Sequence, residues 1–348
     1  MPGGIESAIA VPKGKIEVVP DLPEKPTGWG GDPLSQPSLE QVKQAAKLLH
    51  GVIVQTPLVP LKSYQESTAI QLKPETLQPI GSYKLRGVYN WAASLSRQQL
   101  EAGLSTHSAG NTAQALGYVA RLVGAEARSL LPDRTPQVKI DAIRRYGVTP
   151  VIMPFEELLD YIFRAGWEQE PYSYLNPWAD PLMVAGNGTI GLEILDQLPQ
   201  VDTIYVPVGG GGLIAGIGSA VKAAHAGVRV VAVQPEACPA LKASFDAGKP
   251  VWVDSQPTIC DTTVPLAIDE TFQLLTQVVD EVVLVSETEI RSALRQLALE
   301  NKLIVEGAGA LSVAAALATP LAERGNSVCI LSGSSLSVDK LTQILSEE

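Results

Sequence analysis

Three cysteines, Cys238, Cys260 and Cys329, and three histidines, His50, His107 and His225, are all that occur in 348 residues. An odd, scattered set of cysteines points to neither a disulfide framework nor a Cys-based zinc site. So few histidines leave little for a histidine metal cluster. Long apolar runs are also missing: Gly, Pro or a charge breaks each one before the roughly 20 residues that a membrane span needs. The N-terminus lacks a basic-then-apolar signal. The expectation is a soluble, cytoplasmic protein with no membrane partner. No Lys/Arg run offsets the formal net charge of −11, which argues against nucleic acid as a partner. An anionic ligand then needs a local device, a lysine or a nest of backbone amides. No internal repeat is visible, which argues against a solenoid.

What is present is globular in balance, 45% hydrophobic and 18% charged with 30 glycines, and the length suits two domains better than one. Residues 1–37 carry seven prolines and six glycines, which opposes regular structure and predicts an extended arm. Ser38 and Gln41 fit a capping box, and apolar residues then recur at helical spacing through Leu49, with Gly51 as the stop. Beyond it, β-rich runs at 127–132, 148–154, 202–208, 228–235, 281–286 and 327–333 alternate with amphipathic segments. That order predicts an α/β architecture with mainly parallel sheets, and the near-continuous apolar strands fit sheets covered on both faces.

Four stretches could carry chemistry. VPVGGGGLIAG, Val206 to Gly216, is a strand, four glycines and a helix start. Such a loop can aim several N–H groups at one point beside a helix N-terminus, which suits a phosphate. It matches neither GxxxxGK[ST] nor a convincing GxGxxG with its later acid, and a plain flexible turn is the alternative. HSAGNTAQALGYVA, His107 to Ala120, places Ser108, Gly110, Asn111 and Thr112 at a loop entering a helix, where exposed amides could hold a carboxylate or merely cap the helix. LSGSS, Leu331 to Ser335, sets Ser332 after the last apolar strand, at the end where ligands of open α/β sheets gather. In QPIGSYKLRG, Gln78 to Gly87, Lys84 lies between Tyr83 and Leu85. Apolar neighbours disfavour an ammonium and make a nucleophilic amine accessible, the property of Schiff-base lysines. A phosphate loop, a carboxylate loop and such a lysine together point to pyridoxal phosphate.

With TPL at 56–58, VAGNGTIGLEI at 184–194 and VEGAGALS at 305–312, these stretches follow an order that resembles the fold type II (tryptophan synthase beta-like) pyridoxal-phosphate enzymes. The branch is that of the threonine/serine dehydratases and serine racemase. The likeness runs from about Ser38 to the C-terminus. It implies a large cofactor domain of residues 38–101 and 178–348, and a small domain of residues 102–177 that carries the carboxylate loop. It also implies a homodimer acting on a small amino acid. Lys84 would form the Schiff base and move protons, and Tyr83 would pack near the ring. Asn111 would bond the ring hydroxyl, Glu306 would lie near the ring and Ser332 would face its nitrogen. Gly209, Gly210, Gly211, Gly212 and the Leu213 amide would cradle the phosphate. Ser108, Ala109, Gly110, Asn111 and Thr112 would hold the substrate carboxylate.

The implied activity is β-elimination from L-threonine, L-serine or a related β-hydroxy amino acid, giving a 2-oxo acid and ammonia. Leu85 after the lysine marks the dehydratase side. Ala109 stands where racemases of this branch carry a second serine, so efficient racemisation is not expected. Departures from the pattern are Thr112 for the usual His, Asn187 in GNGT, and TICDT at 258–262. Thr112 keeps a threonine-synthase-like replacement enzyme as an alternative, beside a cofactor-binding protein without turnover. The chain also leaves no room for the C-terminal regulatory domain of biosynthetic threonine dehydratases. Gln234-Pro235, Cys238 and Ala240 occupy the positions where relatives place a divalent-cation site. Hard cations require carboxylate oxygens, so no metal is expected. Prolonged chelation should leave the activity of the pyridoxal-phosphate-loaded protein unchanged, and a marked loss that Mg²⁺ or Ca²⁺ restores would refute this.

Overall fold

The computed structural model describes residues 33–63, 69–261 and 269–347. Residues 1–32 of the expected arm and Thr262 of the TICDT segment lie outside the described residues. Where description begins, the Leu34 N–H donates to the Glu270 carbonyl at 2.8 Å. The first helix, Leu39–Leu49, starts with the expected capping box between Ser38 and Gln41.

Ten strands follow in the order β1 (Val59–Pro60), β2 (Ile70–Pro74), β3 (Leu104–Thr106), β4 (Ala127–Pro132), β5 (Val148–Met153), β6 (Ser173–Tyr174), β7 (Thr203–Pro207), β8 (Arg229–Pro235), β9 (Glu281–Val285) and β10 (Ser327–Leu331). They form a six-stranded sheet ordered β1-β2-β10-β7-β8-β9 and a four-stranded sheet ordered β5-β4-β3-β6. Apart from the antiparallel β1–β2 pair, all pairings are parallel. The large sheet explains its own sequence. Along a strand, side chains alternate between faces: Val206, Val230 and Ile330 join one apolar cluster, while Tyr205, Val231 and Leu331 join another. Both faces are therefore dry, and the strands read as continuous apolar runs. Among the described residues, no helix is long and apolar enough to cross a membrane.

Three helices on one side of this sheet set the positions that matter below: Lys84–Ala92, Pro181–Gln197 and Gly212–Ala224. They pack backbone against backbone. A Cβ on Gly186 would fall 2.7 Å from the Arg86 carbonyl oxygen, and one on Gly216 would fall 2.3 Å from that of Val184. Neither position can carry a side chain without pushing the helices apart.

A buried ionic network locks the first two helices together. Arg86 donates to both Glu75 oxygens, Nε at 2.7 Å and Nη2 at 2.8 Å, and to both Glu193 oxygens, at 2.6 and 3.0 Å. Lys73 completes the set, donating to Glu193 and to the Thr56 carbonyl, each at 2.6 Å. Burial works to raise the pKa of Glu75, and Arg86, Thr56 and Lys73 together outweigh it, so the carboxyl is held below its ordinary value. Removing one partner from such a network leaves an uncompensated buried charge. Glu75→Ala should cost about 3–5 kcal/mol in denaturant unfolding, and a loss within about 1 kcal/mol would show that other contacts carry the junction.

Candidate active site

Four chain segments reach one cavity from the carboxyl ends of parallel strands, the end at which open α/β sheets bind ligands. The segment after β2 brings Tyr83 and Lys84, and the loop after β3 brings His107 to Thr112. The loop after β7 brings Gly209 to Gly212, and the turn after β10 brings Ser332. The cavity measures about 300 Å³ and is also lined by Pro177, Trp178 and Glu306. All the predicted site residues meet here: Lys84, Tyr83, Ser108, Ala109, Gly110, Asn111, Thr112, the four glycines, Leu213, Glu306 and Ser332 all line it.

Lys84 opens its helix, with Tyr83 at the N-cap. The strand turn is pinned to the far end of the chain: the Tyr83 N–H and the Ser82 hydroxyl both donate to the Ser332 carbonyl, at 3.1 and 3.2 Å. Lys84 Nζ donates to the Pro177 carbonyl at 2.9 Å. Burial is the dominant influence on this amine and lowers its pKa to about 8 against the opposing pull of Glu306. A neutral, nucleophilic amine is thus accessible near physiological pH.

The glycine loop joins β7 to the helix Gly212–Ala224, whose first-turn N–H groups have no intrahelical acceptors. Gly211 has φ of +92°, a conformation that side-chain-bearing residues rarely adopt. Asn187 Nδ2 donates to the Gly212 carbonyl at 3.1 Å and ties the loop to the neighbouring helix. This loop, with its helix dipole, fits a phosphate.

On the opposite side, Asn111 begins the helix Asn111–Val123, and its Nδ2 donates to both Glu306 oxygens at 3.1 Å. Glu306 also accepts from the Ser335 N–H at 3.1 Å. Burial raises the Glu306 pKa to about 7, with the Asn111 hydrogen bond opposing. The Ser108 loop is shaped by Ser129 of β4, which accepts from the Ser108 N–H at 3.0 Å and donates to its carbonyl at 2.8 Å. His107 Nδ1 is hydrogen-bonded to the Tyr174 hydroxyl, and burial lowers its pKa to about 3.

Sequence reasoning missed Pro177, Trp178, Ser129 and Tyr174. The N-P-W-A-D-P run at 176–181 reads as an ordinary turn before a helix, and no local signal says that it folds back onto Lys84. Where the resemblance places a divalent cation, the Gln234 side chain instead accepts from the Leu241 and Lys242 N–H groups, at 2.8 and 3.2 Å. Among the described residues, no group of three or more His, Cys, Asp or Glu is placed to hold a metal.

The chain is similar to known proteins. The profile of a family described as pyridoxal-phosphate dependent enzyme matches residues 49–333. The L-threonine ammonia-lyase of Thermotoga maritima is 38% identical over 316 residues, covering 89% of this chain and 78% of that protein. Among solved structures, the processed threonine deaminase isoform 2 of Solanum lycopersicum superposes with a TM-score of 0.81 at 28% identity, over 95% of this chain and all of that one. The serine racemase of Dictyostelium discoideum gives 0.79 at 29% identity, over 87% of this chain. The lowered lysine, the side-chain-free cradle and Ser332 fit pyridoxal phosphate in particular. In cofactor-free protein, the rate at which Lys84 captures pyridoxal phosphate should rise about tenfold per pH unit below the Lys84 pKa and level off above it. Because the Glu306 carboxylate favours the ammonium, Glu306→Gln should shift that midpoint downward; stopped-flow absorbance across the pH range reads both.

Proposed function

We propose, from the premise that the chain belongs to the pyridoxal-phosphate dependent enzyme family, that it is an ammonia-lyase. It converts L-threonine, L-serine or a related small β-hydroxy amino acid to a 2-oxo acid and ammonia. The observation that carries this reading is the desolvated Lys84 amine at the wall of a cavity shared by an anion cradle and a carboxylate loop. The T. maritima relative is named for the same reaction. When bound, pyridoxal phosphate supplies an electron sink that acidifies the substrate Cα–H.

The chain's own residues do the rest. Gly209 to Gly212 and the Leu213 amide would hold the phosphate, and Tyr83 would pack against the ring. Asn111, already donating to Glu306, would share its amide with the ring hydroxyl. The Ser108–Thr112 loop would bind the substrate carboxylate through N–H groups and hydroxyls. Lys84 Nζ, neutral in part near pH 8, would take the Cα proton and deliver it at the leaving hydroxyl. Overall, the Cα–H and Cβ–O bonds break and the hydroxyl leaves as water. A second water then replaces the nitrogen, which departs as ammonia.

Two residues direct the outcome toward elimination. Ser332 would offer the ring nitrogen a hydroxyl rather than a carboxylate, a partner that does not favour a protonated ring and so would favour prompt loss of the β-hydroxyl. Ala109 offers no proton-transfer group on the loop side. The reading extends to a cytoplasmic homodimer, in which a partner would cover some of the exposed apolar side chains, Leu321 and Val338 among them. It also extends to a division in which residues 102–177 close over the substrate.

Protein loaded with pyridoxal phosphate should release 2-oxo acid and ammonia from L-threonine or L-serine, and borohydride should fix a pyridoxyl group on Lys84. Lys84→Ala should lower turnover more than about a hundredfold. A wild-type protein that leaves every β-hydroxy amino acid unconverted, or whose trapped adduct lies on another lysine, would sink the reading.

A further inference from the structure

We propose that Trp178, braced by His107, is a specificity-determining residue: it is the wall that limits the substituent on the substrate Cβ to small, uncharged groups. The inference rests on the ammonia-lyase reading and names the substrate class within it. Trp178 packs on the glycine loop directly and is linked to the other two anchors through its neighbours. Its preceding residue, Pro177, accepts the Lys84 Nζ hydrogen bond at 2.9 Å. Its indole lies against the glycine loop, where a Cβ on Gly210 would fall 2.3 Å from Cδ1, and its carbonyl oxygen would be 2.5 Å from a Cβ on Gly212. Its ring packs edge-on to His107, with centroids 4.8 Å apart and planes at 73°, and His107 adjoins Ser108 of the carboxylate loop.

The position is held firmly. The Asn176 side chain accepts from the Trp178 and Ala179 N–H groups at 3.0 and 3.2 Å. Asp180 caps the following helix through the Leu182 and Met183 N–H groups at 2.8 and 2.9 Å. Behind the wall, His107 is fixed by the Tyr174 hydroxyl, and Tyr174 stacks on Trp167 with centroids 4.2 Å apart.

With the substrate nitrogen directed to the Lys84 end and the carboxylate to the Ser108 loop, the Cβ substituent is the group left to face Trp178. Space is short. On the Trp178 side the cavity is about 300 Å³, at the lower end of ligand pockets, roughly 300–1,000 Å³, and it must take the cofactor as well; the adjoining space of about 690 Å³ opens past Ala109, Asn111 and Glu306, away from Trp178. Charge is short too. Burial keeps His107 neutral at pH 7, and the Lys139 and Asp261 side chains that line the cavity are paired with each other at 3.2 Å. Hydrogen or methyl on Cβ fits these limits, whereas a phenyl or carboxylate does not.

The test compares wild type, Trp178→Phe and Trp178→Ala, each loaded with pyridoxal phosphate, on L-serine, L-threonine and β-phenyl-L-serine. A second readout is the absorbance shift of the bound cofactor with unreactive L-alanine and L-phenylalanine. Relative to L-threonine, kcat/KM for β-phenylserine should rise at least about tenfold in Trp178→Ala and less in Trp178→Phe. L-Phenylalanine binding should tighten relative to L-alanine in the same order. Unchanged ratios in cofactor-loaded variants would overturn the assignment. If Trp178→Ala loses the cofactor, Trp178→Phe decides by the same ratios. If wild type forms no 2-oxo acid from any substrate, the lyase reading fails, while the two binding constants still decide whether Trp178 is the wall.

Discussion

Desolvation of the Lys84 amine is the constraint on which the remaining arrangement depends. Buried Lys73 and half-buried Lys84 both lie beside catalytic elements, and they meet different partners. Lys73 meets the Glu193 carboxylate at 2.6 Å, so its charge is matched at contact distance. Lys84 donates to a carbonyl oxygen, that of Pro177, and lies 5.3 Å from the Tyr83 ring centroid, while the carboxyl that acts on it, Glu306, is itself raised toward neutrality by burial. A carbonyl accepts a hydrogen bond from ammonium and amine alike, whereas a contact carboxylate would hold the proton. At Lys73 a contact carboxylate opposes the lowering that burial imposes, whereas at Lys84 the contact is a neutral carbonyl.

The helix Lys84–Ala92 keeps those two situations apart. Two residues along an α-helix turn through about 200°, so Lys84 and Arg86 project to opposite sides. One faces the cavity, and the other faces Glu75 and Glu193. The charged side fixes the helix to Pro181–Gln197, the very helix whose preceding turn supplies Pro177 and Trp178. Rigidity is thus generated by a saturated ionic network away from the chemistry. The side where a proton must move carries weak, neutral partners. Placing the network at the cavity would have pinned the Lys84 proton.

Much of this was legible in the sequence, for physical reasons. Strands β7, β8, β9 and β10 announce themselves because both faces of the large sheet are covered and leave near-continuous apolar runs, and β4 and β5 do so by their own apolar runs although β5 is partly exposed. The motif residues converge because each follows a parallel strand at its carboxyl end, a topological consequence of the α/β pattern. Strand β2 was not legible: Lys73 sits inside it, and the carboxylate that makes its burial tolerable is 120 residues away. Strands β3 and β6 are three and two residues long, too short to show a period. Trp178 was hidden for a related reason. Its role comes from what it touches, Gly210 and His107, and a turn sequence carries no mark of its tertiary neighbours.

The glycine loop also reads differently once its surroundings are known. Its lack of side chains is demanded twice: by Trp178 packed against Gly210 and Gly212, and by the positive φ of Gly211. No lysine or arginine stands in the loop, and the chain as a whole is negative at −11. Attraction for an anion therefore arises from oriented N–H groups and one helix dipole, which act within a turn's length, rather than from a long-range field. Around the reacting position the same economy holds. Burial moves the Lys84 pKa down to about 8, that of Glu306 up to about 7 and that of His107 down to about 3, each toward its uncharged form. Groups held close to neutrality exchange protons with little reorganisation of charge, and β-elimination requires one proton to leave Cα and one to reach the departing hydroxyl.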